Sequence, residues 1–221
     1  MTKRQMSESF ELGALLTAAG GFLDAYTYVA RGGVFANAQT GNLVLLAMNL
    51  AGREFRQALY YLIPVLAFAL GVLLAEWIRR RVNLSGTRLH WRHFIIAGEM
   101  AVLAVVACLP QEWNMAANVA VSFVCSLQVQ SFRKVEGSAY ATTMCTGNLR
   151  SGTELLFRGW ADGDRDALRK SMRYYAIIVC FMLGAILGVT LTRWMGERAV
   201  LACCALLAVG FVMMFVTDRA L

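Results

Sequence analysis

Charged residues are scarce in this sequence of 221 residues. Asp, Glu, Lys and Arg make up 16% of it, whereas soluble proteins carry about 25% charged residues. Apolar residues make up 58%, and they are gathered into blocks rather than into amphipathic stripes. This composition argues against a water-soluble fold, because so few polar groups would leave its surface poorly solvated.

Histidine and the common catalytic motifs are also rare or missing. The two histidines are His90 and His93, and the chain has no HExxH, GxSxG or P-loop motif and no paired aspartates within an apolar block. We therefore expect no enzymatic activity and no cofactor. The six cysteines show no CxxC or CxxxC spacing, which indicates reduced core residues rather than a metal site or a disulfide framework.

The net charge of +7 does not indicate a nucleic-acid partner. Basic residues cluster beside the apolar blocks, as at Arg79, Arg80 and Arg81, rather than on a soluble face with interleaved aromatic residues. Membrane topology accounts for them better, because Lys and Arg accumulate in cytoplasmic loops. The expected partner is a lipid bilayer.

Six apolar blocks approach the length of about 20 residues that crosses about 30 Å of hydrocarbon. The first block is rich in glycine and is followed by further spans, so we expect a retained helix rather than a cleaved signal peptide. The sequence predicts an all-α membrane protein forming a single domain over residues 1–221. The predicted spans are residues 10–30, 60–78, 94–109, 113–132, 174–194 and 199–216.

Two further stretches, residues 33–51 and 138–158, are too polar or too broken to be simple spans. If both are re-entrant and the N-terminus is cytoplasmic, the C-terminus is cytoplasmic too and most basic residues lie inside, which the positive-inside rule favours. If both span fully, the chain has eight helices and this asymmetry largely disappears. The six-span arrangement leaves outside only Arg31, Arg53, Arg56, Arg193 and Arg198.

An internal repeat relates the two halves. Thr40-Gly41-Asn42-Leu43 recurs as Thr146-Gly147-Asn148-Leu149, and the pair Tyr60-Tyr61 and the segment 68–71 recur at 174–175 and 181–184. The common order of these landmarks indicates a duplication, with one repeat at about 10–110 and the other at about 113–217. Because each copy holds three spans, the second copy enters from the opposite face, and we expect inverted repeats.

Three motifs carry a resemblance to a known family. They are the segments 21–28, 37–42 and 142–149, which read GFLDAYTY, NAQTGN and TTMCTGNL. Together they resemble the YoaK-like family of small bacterial inner-membrane proteins, and the likeness extends over nearly the whole chain. The resemblance implies a bacterial inner-membrane location. That family is catalogued as a domain of unknown function, so no ligand or catalytic residue follows from it.

The two polar breaks predict a cavity near the middle of the bilayer. A broken helix is tolerated there only where it is buried in protein or lines water, and inverted repeats with discontinuous helices are a recurrent transporter design. Thr and Asn can cap a new helix start, and Gly gives the backbone its freedom. The alternative is that these residues only cap and pack two short helices. The candidate substrate-binding residues are Asp24, Asn37, Gln39, Thr40, Gly41, Asn42, Gln130, Thr143, Thr146, Gly147 and Asn148.

Asp24 is the sharpest single candidate, because a carboxylate inside an apolar block is costly and by default functional. Its repeat position is Gln130, a neutral group of similar reach. Asp24 could carry a proton or a cation, or it could lie near the interface or cap the following segment through Asn37 or Arg31. We expect Glu99 to form an interfacial polar pair with His93.

The leading functional hypothesis is a transporter or channel for a small molecule or ion. One alternative is a non-catalytic assembly or signalling subunit, for which Gly184 and Gly188 offer a small-xxx-small packing surface. The same glycines would suit packing within one chain or in a homodimer. An intramembrane enzyme is the weakest of the alternatives.

Overall fold

The computed structural model describes residues 9–85, 91–135, 138–139 and 145–219. Within these ranges the chain forms eight α-helices, two short 3-10 turns and one pair of two-residue strands, Lys134–Val135 and Ser138–Ala139. The predicted all-α class is therefore confirmed. In chain order the helices are α1 Phe10–Ala30, α2 Gln39–Ala51, α3 Phe55–Ser85, α4 Trp91–Val106, α5 Asn114–Ser131, α6 Cys145–Ala161, α7 Arg165–Met195 and α8 Val200–Arg219.

Local sequence signals explain where several helices begin. The Ser9 hydroxyl accepts a hydrogen bond from the Leu12 N–H at 3.1 Å and starts α1. The Asp164 carboxylate accepts from the N–H groups of Asp166 and Ala167 and starts α7. Both are N-cap contacts that satisfy donors of the first turn. The helices α3 and α7 have 31 residues each, so they extend well beyond the apolar blocks that predicted them.

The two polar stretches each contain one short helix. The helix α2 begins at Gln39 and α6 begins at Cys145, which are equivalent positions one residue before each Thr-Gly-Asn motif. The loop before α2 contains Gly32 and Gly33, whose φ angles are 86° and 77°. This left-handed backbone suits glycine and turns the chain sharply between α1 and α2.

The helices pack in pairs that link the two halves. The helix α1 lies along α7 and α3 lies along α5, while each short helix packs on the long helix that follows it, α2 on α3 and α6 on α7. In addition, α4 packs on α5, α8 packs on α1, and α4 packs on α8. If α1, α2, α3 and α4 are matched with α5, α6, α7 and α8, each of these pairings has its counterpart in the same set.

Glycines allow the closest of these contacts. A Cβ placed on Gly184 would overlap the Ala18 carbonyl of α1, and one on Gly188 would lie 2.7 Å from the Phe22 carbonyl oxygen. Correspondingly, a Cβ on Gly71 of α3 would overlap the Ser126 side chain of α5. Gly184 and Gly188 thus serve packing within the chain, since α1 covers the surface that they would offer to a partner.

The bundle buries both apolar and polar side chains, and it exposes many large apolar ones. Its core includes Phe22, Ile96 and Leu207, each with an exposed fraction of 0%. On the outer faces, Leu70 of α3 and Ile186 of α7 are about three-fifths exposed. Two helical stretches of the described residues, Phe55–Val82 and Arg165–Phe215, are long and apolar enough to cross a membrane. This finding covers fewer helices than the six predicted spans, so the count of six stays a prediction.

Candidate functional site

Asp24 joins α1 to the start of α2. Its side chain is buried, and its Oδ1 accepts hydrogen bonds from the N–H groups of Asn37 at 2.6 Å and Ala38 at 3.2 Å. These donors belong to the two residues directly before α2, beside a helix N-terminus, which favours negative charge. One oxygen of Asp24 therefore caps the short helix from a neighbouring one.

The second oxygen of the Asp24 carboxylate has no hydrogen bond within the described part of the chain. Oδ2 of Asp24 and Oδ1 of Asn37 are both buried, and neither has a hydrogen-bond partner among the described residues. The Asn37 amide nitrogen donates to the Gly20 carbonyl at 3.3 Å, which fixes the direction of the amide. Both unpartnered atoms are acceptors, so a proton or a cation would satisfy them.

Asn42 shapes the loop that holds this site. Its Oδ1 accepts from the Phe35 N–H at 2.9 Å, and its Nδ2 donates to the Phe35 carbonyl at 2.7 Å and to Gln39 Oε1 at 2.8 Å. Gln39 in turn donates to the Ala36 carbonyl at 2.8 Å. Asn42 and Gln39 therefore bind the loop, with Asn42 fully buried.

The other residues of the first motif lie differently. Thr40 is exposed, and α2 has Ala38 as its N-cap, with no side-chain capping bond. The expectation that Thr or Asn of this motif caps α2 is therefore wrong, since Asp24 supplies the acceptor. Gly41 packs on the Phe35 ring, where a Cβ would come within 2.8 Å of a ring carbon.

The second motif places its residues in a similar way. Asn148 is buried, while Thr146 and Gly147 are exposed, matching the buried Asn42 and exposed Thr40 of the first copy. Cys145, the first residue of α6, lies close enough to Asp24 for an electrostatic interaction. The structure thus brings the beginning of α6 near the acid of the first copy. Thr143 lies outside the described residues.

Within the described residues, the Gln130 side chain makes its hydrogen bond to α3 and not to Asp24 or its neighbours. It is half-buried, and its Nε2 donates to Glu76 Oε2 at 3.0 Å. Glu76 also accepts from Arg79 at 2.5 Å. The position equivalent to Asp24 thus carries a neutral amide that is tied to a charged group of α3.

The sequence points to Glu99 and Arg31 but does not predict that both charged side chains are fully buried. Glu99 is 1% exposed, and neither of its oxygens has a hydrogen-bond partner among the described residues. The expected pair with His93 is therefore wrong, because residues six apart point to different sides of a helix. The signal for Glu99 was present, since it too is an acid inside an apolar block.

Arg31 is the second of these residues. It follows α1 and is 0% exposed, and it donates to the carbonyls of Val106 at 2.8 Å and Leu109 at 2.9 Å and to the Tyr26 hydroxyl oxygen at 2.8 Å. These carbonyls end α4, where a cation is favoured by the helix dipole. No local pattern could have predicted this contact, because α4 lies far along the chain.

Cys125 of α5 connects the two buried acids. It lies against Asn37, and both Asp24 and Glu99 are close enough to interact with it electrostatically. On the same helix, Ser122 Oγ and both polar atoms of the Gln128 amide are buried without a partner among the described residues. The helix α5 therefore carries several buried polar atoms that have no hydrogen bond among the described residues.

A family model described as a protein of unknown function, DUF1275, matches residues 12–213. The chain belongs to the DUF1275 family. This membership confirms the family resemblance drawn from the sequence motifs. No curated protein and no solved structure matches the chain.

The matched region of this DUF1275 chain contains all the candidate residues, from Asp24 to Asn148. The site therefore lies within the family domain. It also contains Arg31 and Glu99, which the motifs alone did not indicate.

Proposed function

We propose that this protein is a multi-pass membrane protein that moves a small solute or ion across the bilayer. Its inside-out distribution of side chains supports a membrane environment. Large apolar residues such as Leu73, which is 66% exposed, cover the outside, while Asp24, Arg31 and Glu99 are buried. Extensive exposed apolar surface is rare on soluble proteins and suits contact with lipid.

The second part of the proposal is six spanning helices in two inverted repeats. The symmetric helix pairings and the matching roles of Gly71 and Gly184 support the duplication. The helix α2 has 13 residues, or about 20 Å at about 1.5 Å per residue, which is too short for a hydrocarbon core of about 30 Å. Three full spans in each copy would give the copies opposite orientations.

The proposed transport rests on the different surroundings of the two carboxylate oxygens of Asp24. Oδ1 holds the start of a short helix, while Oδ2 faces the protein interior without a hydrogen-bond partner among the described residues. Leaving a buried acceptor such as Oδ2 unsatisfied costs about 1–3 kcal/mol. A proton or cation bound at Oδ2 would remove that cost.

The other candidate residues receive supporting roles in this proposal. Asn37 binds Asp24 through its main-chain N–H, and its Oδ1 has no hydrogen-bond partner among the described residues. Asn42 and Gln39 hold the loop in shape. The start of α6, near Cys145, brings Asn148 of the second copy toward the same region. The solute would bind between the beginnings of the two short helices, where main-chain N–H groups and polar side chains replace its water.

The proposal can be tested with purified protein reconstituted into liposomes. Charge movement would be recorded while H⁺, Na⁺, K⁺, ammonium and small carboxylates are offered in turn, and an entrapped pH dye would report proton flux. We expect at least one of these to move faster than in protein-free vesicles. The Asp24→Asn variant should lower that flux by about tenfold or more, since it removes the charge of an intramembrane acid.

The matched control is Glu11→Gln, which neutralises an exposed acid on the same helix. Its flux should equal that of the wild type. Asp24→Asn keeps an oxygen that can accept from Asn37, so a folded variant is expected. Wild-type flux in Asp24→Asn, or no movement of any solute by the wild type, would reject the proposal.

A further inference from the structure

Glu99 lies on α4 in the centre of the bundle, apart from the contacts around α2. It is 1% exposed, and Oε1 and Oε2 both lack a hydrogen-bond partner among the described residues. An ionised carboxylate without a counter-charge in such surroundings is very costly. Glu99 must therefore hold a proton or be neutralised by a bound cation.

The neighbours of Glu99 favour a proton over a metal ion. From α8, Cys203 and Cys204 interact with it electrostatically, and from α5 so does Cys125. Hard cations such as Na⁺ and Mg²⁺ prefer several oxygen ligands, and thiols are poor substitutes. The described residues also contain no group of three His, Cys, Asp or Glu side chains that could hold a metal ion.

Other titratable groups around α4 make contacts elsewhere in the bundle. Asp24 of α1 interacts electrostatically with Cys125, as Glu99 does. On α4 itself, the His93 ring packs edge-on against the rings of Phe211 and Phe215. Arg31 binds the carbonyl groups at the C-terminal end of α4. Within the described residues, no hydrogen bond or ion pair joins any of these to the Glu99 oxygens.

We propose that Glu99 is a buried proton-binding site between α4, α5 and α8. Its carboxyl group keeps its proton while these helices are closed around it, and it releases the proton to water when they separate. The inference deepens the proposed function, because it names the proton as the coupled ion and Glu99 as a carrier besides Asp24. Cys125 of α5 interacts electrostatically with both acids.

Infrared spectroscopy of the reconstituted protein tests the site without any transport measurement. At neutral pH the wild type should show the C=O stretch of a protonated carboxyl, and that band should disappear in Glu99→Gln and in Glu99→Cys. The cysteine variant replaces the carboxyl with a second, smaller side chain, so the result does not depend on the glutamine variant alone. The band should persist in the controls Glu54→Gln, an exposed acid, and Asp24→Asn.

A wild type without the band, or a band that survives in Glu99→Cys and vanishes in Asp24→Asn, would overturn the inference. Proton flux in liposomes then separates the two proposals. A Glu99 band in a protein that moves no solute would reject the proposed transport and retain the proton site. Flux that depends on Asp24 in a protein without a Glu99 band would reject the proton site alone.

Discussion

The side-chain amide of Asn42 bonds both main-chain polar groups of Phe35, accepting from its N–H at 2.9 Å and donating to its carbonyl at 2.7 Å. This pairing closes the loop of residues 35–42 in the way that a neighbouring strand would. It needs a donor and an acceptor at fixed positions, so only an amide of this length fits. The loop in turn holds the N–H of Asn37 against Asp24.

We predict that Asn42→Asp destabilises the protein by about 2–4 kcal/mol, because it removes two donated hydrogen bonds and places a carboxylate against a carbonyl oxygen. Thermal unfolding in detergent measures the effect. The matched control is Asn49→Asp on the same helix, where the amide is half-buried and donates one bond to the Leu45 carbonyl. Equal melting temperatures for the two variants would contradict this role of Asn42.

The repeat predicts equivalent responses at two glycines. Gly184→Ala and Gly71→Ala should each destabilise the bundle by about 1–3 kcal/mol, because a Cβ would overlap α1 in one case and α5 in the other. Gly98→Ala on α4 is the control, since a Cβ there meets nothing within 4 Å, and it should be neutral or stabilising. If Gly71→Ala were as stable as Gly98→Ala while Gly184→Ala was destabilised, the helix packing of the two halves would not be equivalent.

Labelling of Cys108 can distinguish an arrangement with six spanning helices from one with eight. It is exposed and lies between α4 and α5, a connection that is outside if α2 is re-entrant and inside if α2 spans fully. We expect a membrane-impermeant maleimide to label Cys108 in intact cells, as located by peptide mass mapping. In an Asp162→Cys variant, the new cysteine between α6 and α7 should be labelled only after the membrane is opened, because both arrangements place it inside. Protection of Cys108 in intact cells would favour eight spans.

Parts of the site could be read from the sequence because they depend on local chemistry. Asp24 stood out as an acid in an apolar block, and it is buried. The Thr-Gly-Asn motifs marked two interruptions, and each lies in the first turn of a short helix. Helix-breaking patterns act over a few neighbouring residues, so they can be recognised in the amino-acid sequence.

Other parts could not be predicted, because their partners are distant in the chain. Arg31 satisfies carbonyls at the end of α4, and Gln130 finds its partner in Glu76. Proximity in sequence predicts a pairing of Glu99 with His93, and this prediction fails because residues six apart leave α4 in different directions. Which oxygen of Asp24 accepts the hydrogen bonds of Asn37 and Ala38 likewise depends on where the loop of residues 32–38 folds back.

The sequence by itself determined the helical class, the positions of the breaks, the duplication landmarks and the family, since these follow from composition, period and motif. Only the tertiary structure decided that α1 packs on α7 and α3 on α5, and that Asp24, Asn37, Cys125 and Glu99 share one interior. The physical reason is that burial and hydrogen bonding depend on which helices meet. Those meetings are set by close glycine contacts between distant segments, which no local pattern records.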